Sequence, residues 1–285
     1  MLDPEIAAIL ENINAVRGPG VEDVPVAQAR AGHDAETEEL AGFGPDVQTE
    51  DAQLAGIPAR LYTPPDARGT VAYFHGGGWV VGSPRSTEAV CRALALASGA
   101  SVANIDYRLA PEHPYPAAVE DALAATRALQ ADVVAGDSAG GNLAAVVARH
   151  VRTLKLQLLI YPVTDAGCNT ASYGDFGEGH GLTAASMQRF WNLYLDGADG
   201  LDPDASPLRS DDLAGSPPAF VLTAGFDPLR DEGEAYCDAL RDAGVEAEVS
   251  RYDGAIHGFW RWLAAAKLSR TAVDEVAAAL RARLA

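Results

Sequence analysis

A chain of 285 residues is long enough to form one large domain with a deep pocket, because a fold of this size buries roughly three quarters of the surface that its unfolded chain exposes. Its 40 acidic residues against 21 basic ones give a formal net charge of −19, which argues against nucleic acid as a partner because phosphate binding requires clustered Lys and Arg. No apolar run reaches the roughly 18 residues of a membrane span, and the N-terminus lacks the features of a secretory signal, so we expect no membrane span and a cytoplasmic location.

Cysteine and histidine spacing predicts neither a disulfide framework nor a metal site. Cys91, Cys168 and Cys237 lie far apart, without the C-x-x-C spacing of metal and redox motifs. The six histidines do not pair with one another or with a cysteine at metal-ligand spacing. We therefore expect buried free thiols and no metal. The acidic excess leaves adaptation to high salt open as a hypothesis, which stabilisation of the fold by salt would support.

The first predicted element is an amphipathic helix over residues 3–16. Its apolar side chains recur at helical spacing, at Ile6, Ile9, Leu10, Ile13 and Val16. Residues 18–46 follow and are rich in Gly, Pro, Ala and acids, with few apolar anchors. This composition predicts a mobile segment or part of a lid.

Beyond residue 46, short strand-like runs alternate with helical patterns. The run PARLYT at 58–63 alternates polar and apolar residues and predicts an antiparallel strand at one edge of a sheet. Runs typical of parallel strands follow at 70–74, 101–105, 132–136, 156–161, 219–224 and 248–252. The helices predicted among them lie at 86–98, at 117–130, after 138 and at about 229–243. This alternation predicts an α/β fold with a mostly parallel, doubly wound sheet covered on both faces.

The connection between the runs at 156–161 and 219–224 is far longer than a usual loop. A helix is predicted within it over residues 183–195, and this helix carries an aromatic cluster. We expect the insertion to form a cap over the sheet.

A nucleophile elbow is predicted at V-A-G-D-S-A-G-G-N, residues 134–142. This segment follows a predicted strand and opens a predicted helix, which is the context that such an elbow requires. Gly136 and Gly140 flank Ser138 and let the chain reverse without a Cβ clash, so that the hydroxyl is lifted above the sheet. Ser138 is therefore the predicted nucleophile. The alternative is a glycine-rich turn with an incidental serine.

The segment Y-F-H-G-G-G-W at 73–79 predicts an oxyanion hole. Three consecutive glycines after a strand let backbone N–H groups face an open space, where they can stabilise a developing negative charge. Gly77, Gly78 and Ala139 are the candidate donors. A phosphate-binding loop is the alternative, but no G-K-[ST] follows. We expect His75 to brace the glycine loop rather than to act as the base.

His257, in Y-D-G-A-I-H-G-F-W after the last predicted strand, is the candidate general base. Asp227, in A-G-F-D-P-L-R-D-E-G, is the candidate acid, and the order Ser138, Asp227, His257 is the one expected for this kind of fold. Aspartate before proline is also a good helix start, so a purely structural role for Asp227 is open. Asp231 and Glu232 are rivals, but they lie in the first turn of the predicted helix, where acids commonly face the dipole.

These motifs resemble those of a known family. Through H-G-G-G-W, Y-R-L-A-P-E-H-P-Y-P-A-A, G-D-S-A-G-G-N-L, D-P-L-R-D-E-G and I-H-G-F, over about residues 55–265, the chain resembles the bacterial members of the hormone-sensitive lipase family of α/β-hydrolases, in the subgroup with a G-D-S-A-G elbow. The segments between Gln130 and Asp132 and after His150 are short compared with the family. This difference leaves the site intact but argues against a dimer contact at these segments, while a homodimer as such stays open.

The resemblance implies a serine carboxylesterase that hydrolyses short to medium acyl esters through an acyl-enzyme, without a cofactor. It also implies a cap over a catalytic domain, with an N-terminal cap segment at 1–46, the catalytic domain at 47–165 and 207–285, and a cap insertion at 166–206. The negative field of the protein favours neutral esters over anionic ones as the small-molecule substrate.

Five aromatic residues are candidate substrate contacts, although core packing accounts for each of them equally well: Trp79, Phe190, Trp191, Tyr194 and Phe259. Two other functions stay open. One is an amide or carbamate hydrolase with the same triad, and the other is a non-catalytic small-molecule receptor on this fold, against which the presence of His257 argues.

Overall fold

A mostly parallel β-sheet runs through the centre of the computed structural model, which describes residues 1–16 and 21–285. Within these residues the sheet has eight strands: β1 Gln48–Leu54, β2 Ile57–Thr63, β3 Thr70–Phe74, β4 Ser101–Ile105, β5 Val133–Asp137, β6 Leu156–Ile160, β7 Ala219–Phe226 and β8 Ala247–Ile256. Their spatial order is β1-β2-β4-β3-β5-β6-β7-β8. Strands β1 and β2 are antiparallel to their neighbours, and the rest pair in parallel. The predicted α/β fold is confirmed.

The edge of the sheet differs from the prediction. PARLYT forms most of β2, which is antiparallel as predicted, but the predicted edge position is wrong because β1 pairs along its outer side. Strand β1 has the polar sequence Q-T-E-D-A-Q-L, and all of its side chains are exposed or half-buried. A strand that buries so little has no apolar run by which the sequence could reveal it.

Helices cover both faces of the sheet. In the described part of the chain they are α1 Pro4–Val16, α2 Val26–Leu40, α3 Glu88–Ser98, α4 Ala117–Leu129, α5 Ala139–His150, α6 Ala171–Phe176, α7 Ala184–Leu195, α8 Arg230–Asp242 and α9 Lys267–Leu284. Helices α4, α5 and α8 share one hydrophobic core with the sheet, whereas α3, α9 and α1 share the other. No helix among the described residues is sufficiently long and apolar to cross a membrane.

Alternate residues of the central strands supply the two cores. In β3, Val71 and Tyr73 belong to the core beneath α3 and α9, whereas Ala72 and Phe74 belong to the core beneath α5. Both faces of this strand are therefore shielded from water, which explains why its sequence is apolar at nearly every position.

Helix α2 has no counterpart among the predicted elements. It lies in the segment 18–46 that the composition marks as mobile or part of a lid, of which residues 18–20 lie outside the described residues. Its sequence has no apolar stripe, and Thr37 is its one buried residue. Because hydrophobic periodicity is the main sequence signal for a helix, a helix held mainly by polar contacts escapes prediction.

The topology brings four loops to one edge of the sheet. Strand β3 leads into the glycine loop 75–78, β5 into Ser138, β7 into Asp227 and β8 into His257. Since these strands run in parallel, their carboxyl ends meet, and this is where ligands bind in open α/β sheets.

Candidate active site

Ser138 lies at the top of a strained turn between β5 and α5. Its backbone has φ 56° and ψ −119°, a conformation that residues other than glycine rarely adopt. A Cβ on Gly136 would overlap the carbonyl oxygen of Gly140, and a Cβ on Gly140 would overlap that of Phe74. The two glycines are therefore required by close backbone approach, and the turn has the geometry of a nucleophile elbow.

His257 bridges Ser138 and Asp227. Its Nε2 lies 3.0 Å from Ser138 Oγ, and its Nδ1 lies 2.7 Å from Asp227 Oδ2. Because a carboxylate accepts hydrogen bonds, the contact with Asp227 fixes the hydrogen on Nδ1 and leaves the Nε2 lone pair facing the serine hydroxyl. In this tautomer the ring can accept the proton of Ser138.

Asp227 is fully buried and is held in place by its second carboxylate oxygen. Oδ1 accepts a hydrogen bond of 2.8 Å from the backbone N–H of Leu229, in the turn that leads into α8. The structural role considered for this residue therefore coexists with its contact to His257. Asp231 instead accepts from the backbone N–H of Ser172, and Glu232 from that of Thr164.

The glycine loop presents backbone N–H groups beside Ser138. Gly77 and Gly78 have φ values of +119° and +58°, and both line the same cavity as Ser138 and His257. Within the described residues, their N–H groups donate no hydrogen bond, and Ala139 begins α5, where the first N–H groups have no partner in the helix. The three predicted donors thus have no hydrogen-bond acceptor among the described residues.

His75 is buried beneath this loop and braces it, as predicted. Its Nδ1 donates to the carbonyl of Gly76 at 2.8 Å, its ring stacks on Tyr107 at 4.4 Å, and the Tyr107 hydroxyl donates to the His75 carbonyl at 2.8 Å. Burial lowers the pKa of His75 to about 4, so the ring is neutral near pH 7. No hydrogen bond joins it to Ser138 among the described residues.

A cavity of about 1040 Å³ opens from Ser138 and extends between the sheet edge and helices α1, α2 and α7. Of the five predicted aromatic contacts, Phe190 lines this cavity. The other four do not: Trp79 stacks on Tyr194 at 4.1 Å and packs on Trp191 at 4.6 Å, and Phe259 packs on Tyr161. The rings of Trp79, Trp191 and Tyr194 fill the core that α4, α5 and α8 share, and the ring of Phe259 fills the core on the other face of the sheet, so we do not retain these four residues as substrate contacts.

Helix α2 contributes polar residues to the cavity that no sequence motif marks. His33 Nε2 accepts a hydrogen bond of 3.2 Å from Arg261 Nη1, and Glu36 lies 3.4 Å from Arg261 Nη2. Burial, together with the charge of Arg261, lowers the pKa of His33 well below its usual value, so the ring is neutral. Because the sequence of α2 has no clear apolar periodicity, it does not predict that His33 and Glu36 lie near the site. Within the described residues, no group of three or more His, Cys, Asp or Glu side chains is arranged to hold a metal ion.

Comparison with known proteins places this geometry among ester hydrolases. Residues 71–261 match the sequence model of the alpha/beta hydrolase fold family. The carboxylic ester hydrolase LipN of Mycobacterium tuberculosis is 41% identical, over 99% of this chain and 83% of that protein. An ethyl acetate hydrolase of Pseudomonas putida is 37% identical, over 91% of this chain and 92% of that protein. Among solved structures, an α/β hydrolase from the metagenome of Lake Arreo has a TM-score of 0.94 at 40% identity, covering 99% of this chain and 98% of the other. An esterase of Pyrobaculum calidifontis has a TM-score of 0.90 at 39% identity, with 99% of both chains covered.

Proposed function

We propose that this chain, which is an ester hydrolase of the α/β hydrolase fold family, acts with Ser138 as the nucleophile, His257 as the general base and Asp227 as the residue that orients His257. One observation carries the assignment of roles. The two ring nitrogens of His257 lie within hydrogen-bond distance of Ser138 Oγ, at 3.0 Å, and of Asp227 Oδ2, at 2.7 Å. This is the arrangement that activates a serine hydroxyl for acyl transfer.

In the first half of the reaction, Ser138 Oγ attacks the ester carbonyl carbon while His257 Nε2 takes the hydroxyl proton. The resulting imidazolium is stabilised by the Asp227 carboxylate and then protonates the leaving alkoxide, which departs as the alcohol. The product of this half is an acyl-enzyme on Ser138.

In the second half, His257 takes a proton from water, which attacks the acyl carbonyl. Collapse of this second tetrahedral intermediate returns the proton to Ser138 Oγ and releases the acid. In both halves the carbonyl oxygen becomes negative. We assign the N–H groups of Gly77, Gly78 and Ala139 to that oxygen, because donors already aimed at it need no rearrangement during the reaction.

The proposed substrates are neutral esters with short to medium acyl chains. The cavity beside Ser138 has apolar side chains from the cap and core, among them Val81, Leu182, Met187 and Phe190, and its volume is that of a small-molecule pocket. The net charge of −19 disfavours anionic substrates. A relative 37% identical to this chain bears the name ethyl acetate hydrolase, which refers to a short neutral ester.

Hydrolysis of p-nitrophenyl acetate, butyrate, octanoate and palmitate by the wild type and by Ser138→Ala tests this function. We expect the wild type to prefer the shorter chains and the variant to lose several orders of magnitude in kcat. Ser216→Ala is the matched control, since Ser216 is also buried but its hydroxyl has no hydrogen-bond partner among the described residues and lies outside the cavity. Equal activity of Ser138→Ala and wild type would overturn the assignment.

A further inference from the structure

A chain of buried hydrogen bonds connects the three segments that carry the proposed active site. The indole Nε1–H of Trp260 donates to the Tyr73 hydroxyl at 3.0 Å, and that hydroxyl donates to Asp137 Oδ1 at 2.8 Å. The same Oδ1 accepts the backbone N–H of Gly76 at 3.0 Å. Trp260 follows His257 by three residues, Asp137 directly precedes Ser138, and Gly76 directly precedes Gly77. Each of the three segments therefore supplies one member. Asp137 binds the glycine loop directly, and Tyr73 connects Asp137 to Trp260.

Stability alone is a poor explanation for this arrangement. Tyr73 and Trp260 are fully buried and Asp137 is 1% exposed, yet Asp137 forms no salt bridge with the described residues. Burial raises the pKa of Asp137, because removing a carboxylate from water disfavours its charged form. Replacing buried charged groups by apolar residues of similar volume is often neutral or stabilising. A role of the Asp137 carboxylate in positioning the backbone of Gly76 explains its burial better than a contribution to stability does.

The glycine loop needs such a restraint. Gly77 and Gly78 have left-handed φ values, and their N–H groups donate no hydrogen bond to the described residues. The peptide groups that carry these N–H groups are held through their carbonyls, because Gly76 O accepts from His75 Nδ1 and Gly77 O accepts from the N–H groups of Val80 and Val81. All of these partners belong to residues 75–81, so the bonds shape the loop but do not connect it to Ser138. Oxyanion donors act only when they lie about 2.7 to 3.1 Å from the developing charge, and a misplacement of about 1 Å can cost on the order of 10²-fold in rate. The bond from Gly76 to Asp137 anchors the loop one residue before its first donor. The carboxylate that receives this bond belongs to the neighbour of the nucleophile.

We infer that Tyr73, Asp137 and Trp260 are positioning residues that hold the oxyanion loop in register with Ser138 and His257. The inference rests on the proposed function. Tyr73 and Trp260 do not line the cavity, and Asp137 borders it but is only 1% exposed, so we assign none of the three a contact with the substrate. The inference extends that function by naming what aligns the oxyanion donors with the nucleophile. Its energetic effect should appear in the transition state, in which the oxyanion forms, and not in the binding of the neutral ester.

Tyr73→Phe is the direct test, because it removes one hydroxyl and leaves the ring in place. We expect kcat for p-nitrophenyl butyrate to fall 10- to 100-fold, with KM changed less than about threefold. The Ki of a trifluoromethyl ketone, which forms a tetrahedral oxyanion on the serine, should rise in proportion. Tyr62→Phe is the matched control, since Tyr62 is fully buried on β2 but its hydroxyl has no partner among the described residues. This control should keep wild-type kcat and Ki.

Asp137→Asn supplies the conservative variant, because its amide oxygen can still accept from Tyr73 and Gly76. We expect it to retain at least fivefold more activity than Tyr73→Phe. If Asp137→Asn loses more than Tyr73→Phe, the carboxylate acts through its charge and the positioning role is wrong. If Tyr73→Phe does not fold, Trp260→Phe takes its place in this comparison, because it removes the indole N–H that donates to Tyr73. Circular dichroism at the assay temperature establishes folding for each protein.

Ser138→Ala, measured alongside, separates failure of this inference from failure of the proposed function. If Ser138→Ala is inactive while Tyr73→Phe matches the wild type in kcat and inhibitor Ki, the proposed function stands and the positioning role is overturned. A lower melting temperature of Tyr73→Phe with unchanged kcat leads to the same conclusion, since a merely structural bond would give that result. If Ser138→Ala retains wild-type activity, the proposed function fails, and the inference fails with it.

Discussion

The ring of Phe190 lies directly over the Cα of Gly78, so that a Cβ at position 78 would overlap it. Gly78 also has φ +58°, a conformation that costs a residue with a Cβ about 1 kcal/mol or more. Helix α7, in the insertion that we predict to form a cap, therefore contacts the backbone that we assign to the oxyanion hole. The position admits only glycine for two separate reasons, and the contact with Phe190 is the larger one.

Gly78→Ala should lower kcat by about 100-fold or more, because the Cβ forces the loop or the ring to move and displaces an oxyanion donor. The double variant Gly78→Ala with Phe190→Ala should recover at least tenfold of this loss, since the obstructing ring is gone. Gly174→Ala in α6, where a Cβ would meet open space, should leave kcat unchanged. If the double variant is no more active than Gly78→Ala, the contact with Phe190 is not the cause.

Asp227→Asn should separate the two contacts of this carboxylate. The amide oxygen can still accept the N–H of Leu229, so we expect the unfolding midpoint in urea to change little. The amide cannot stabilise the imidazolium and favours the wrong tautomer of His257, so kcat should fall by on the order of 10⁴-fold. Asp231→Asn, at the rival acid, is the control and should keep wild-type kcat. Comparable losses in both variants would remove Asp227 from its proposed role.

The sequence reveals those parts of the fold and site that rest on apolar periodicity or on tight turns. Strands β3 and β5 are buried on both faces, and Gly136 and Gly140 are dictated by backbone contact, so both leave a local pattern. Helix α2 and the contact of His33 with Arg261 leave none, because they depend on polar pairs that are far apart in the sequence. Trp79 is predicted as a substrate contact but is buried in the core, because the sequence does not distinguish an aromatic residue that lines a pocket from one that packs beneath it.

Arg30 fastens helix α2 to the rest of the molecule. Its guanidinium donates to the carbonyls of Val80 and Ala110, at 2.9 and 3.1 Å, and to both carboxylate oxygens of Glu112, at 2.8 and 2.7 Å. Arg30→Ala should lower the free energy of unfolding by about 1 to 3 kcal/mol and make α2 more sensitive to limited proteolysis. Arg85→Ala, which breaks an exposed ion pair between Arg85 and Glu38 of the same helix, should change stability by less than about 1 kcal/mol.

The contribution of Arg30 should depend on pH in a defined direction. The hydrogen bond from Arg30 lowers the pKa of Glu112 from 4.5 to about 2. A depressed pKa of the folded state means that the stabilisation is present above pH 4.5 and is lost as the pH falls toward 2. The difference between Arg30→Ala and wild type in the rate of proteolysis of α2 should therefore become smaller as the pH falls below 4.5. An unchanged difference across that range would show that the backbone carbonyls, not Glu112, hold Arg30.

Glu232 should make the protein less stable as the pH rises from about 4.5 to about 8. It is fully buried, its Oε1 accepts from the N–H groups of Thr164 and Asp165 at 2.6 and 3.3 Å, and its Oε2 has no partner among the described residues. Burial raises the pKa of Glu232 from 4.5 to about 8. A raised pKa of the folded state means that the stabilisation is fully present below pH 4.5 and is lost as the pH rises through about 8.

Glu232→Gln keeps an oxygen for both N–H groups and cannot ionise, so its free energy of unfolding should lack this decline. Between pH 5 and pH 9 we expect the wild type to lose up to about 4 kcal/mol relative to the variant in urea unfolding. Glu246→Gln, at an exposed carboxylate that pairs with Arg283, should follow the wild type at every pH. If the free energies of unfolding of wild type and Glu232→Gln change in parallel with pH, Glu232 is ionised in the folded protein throughout this range. Its charge is then stabilised by the backbone N–H groups that donate hydrogen bonds to it.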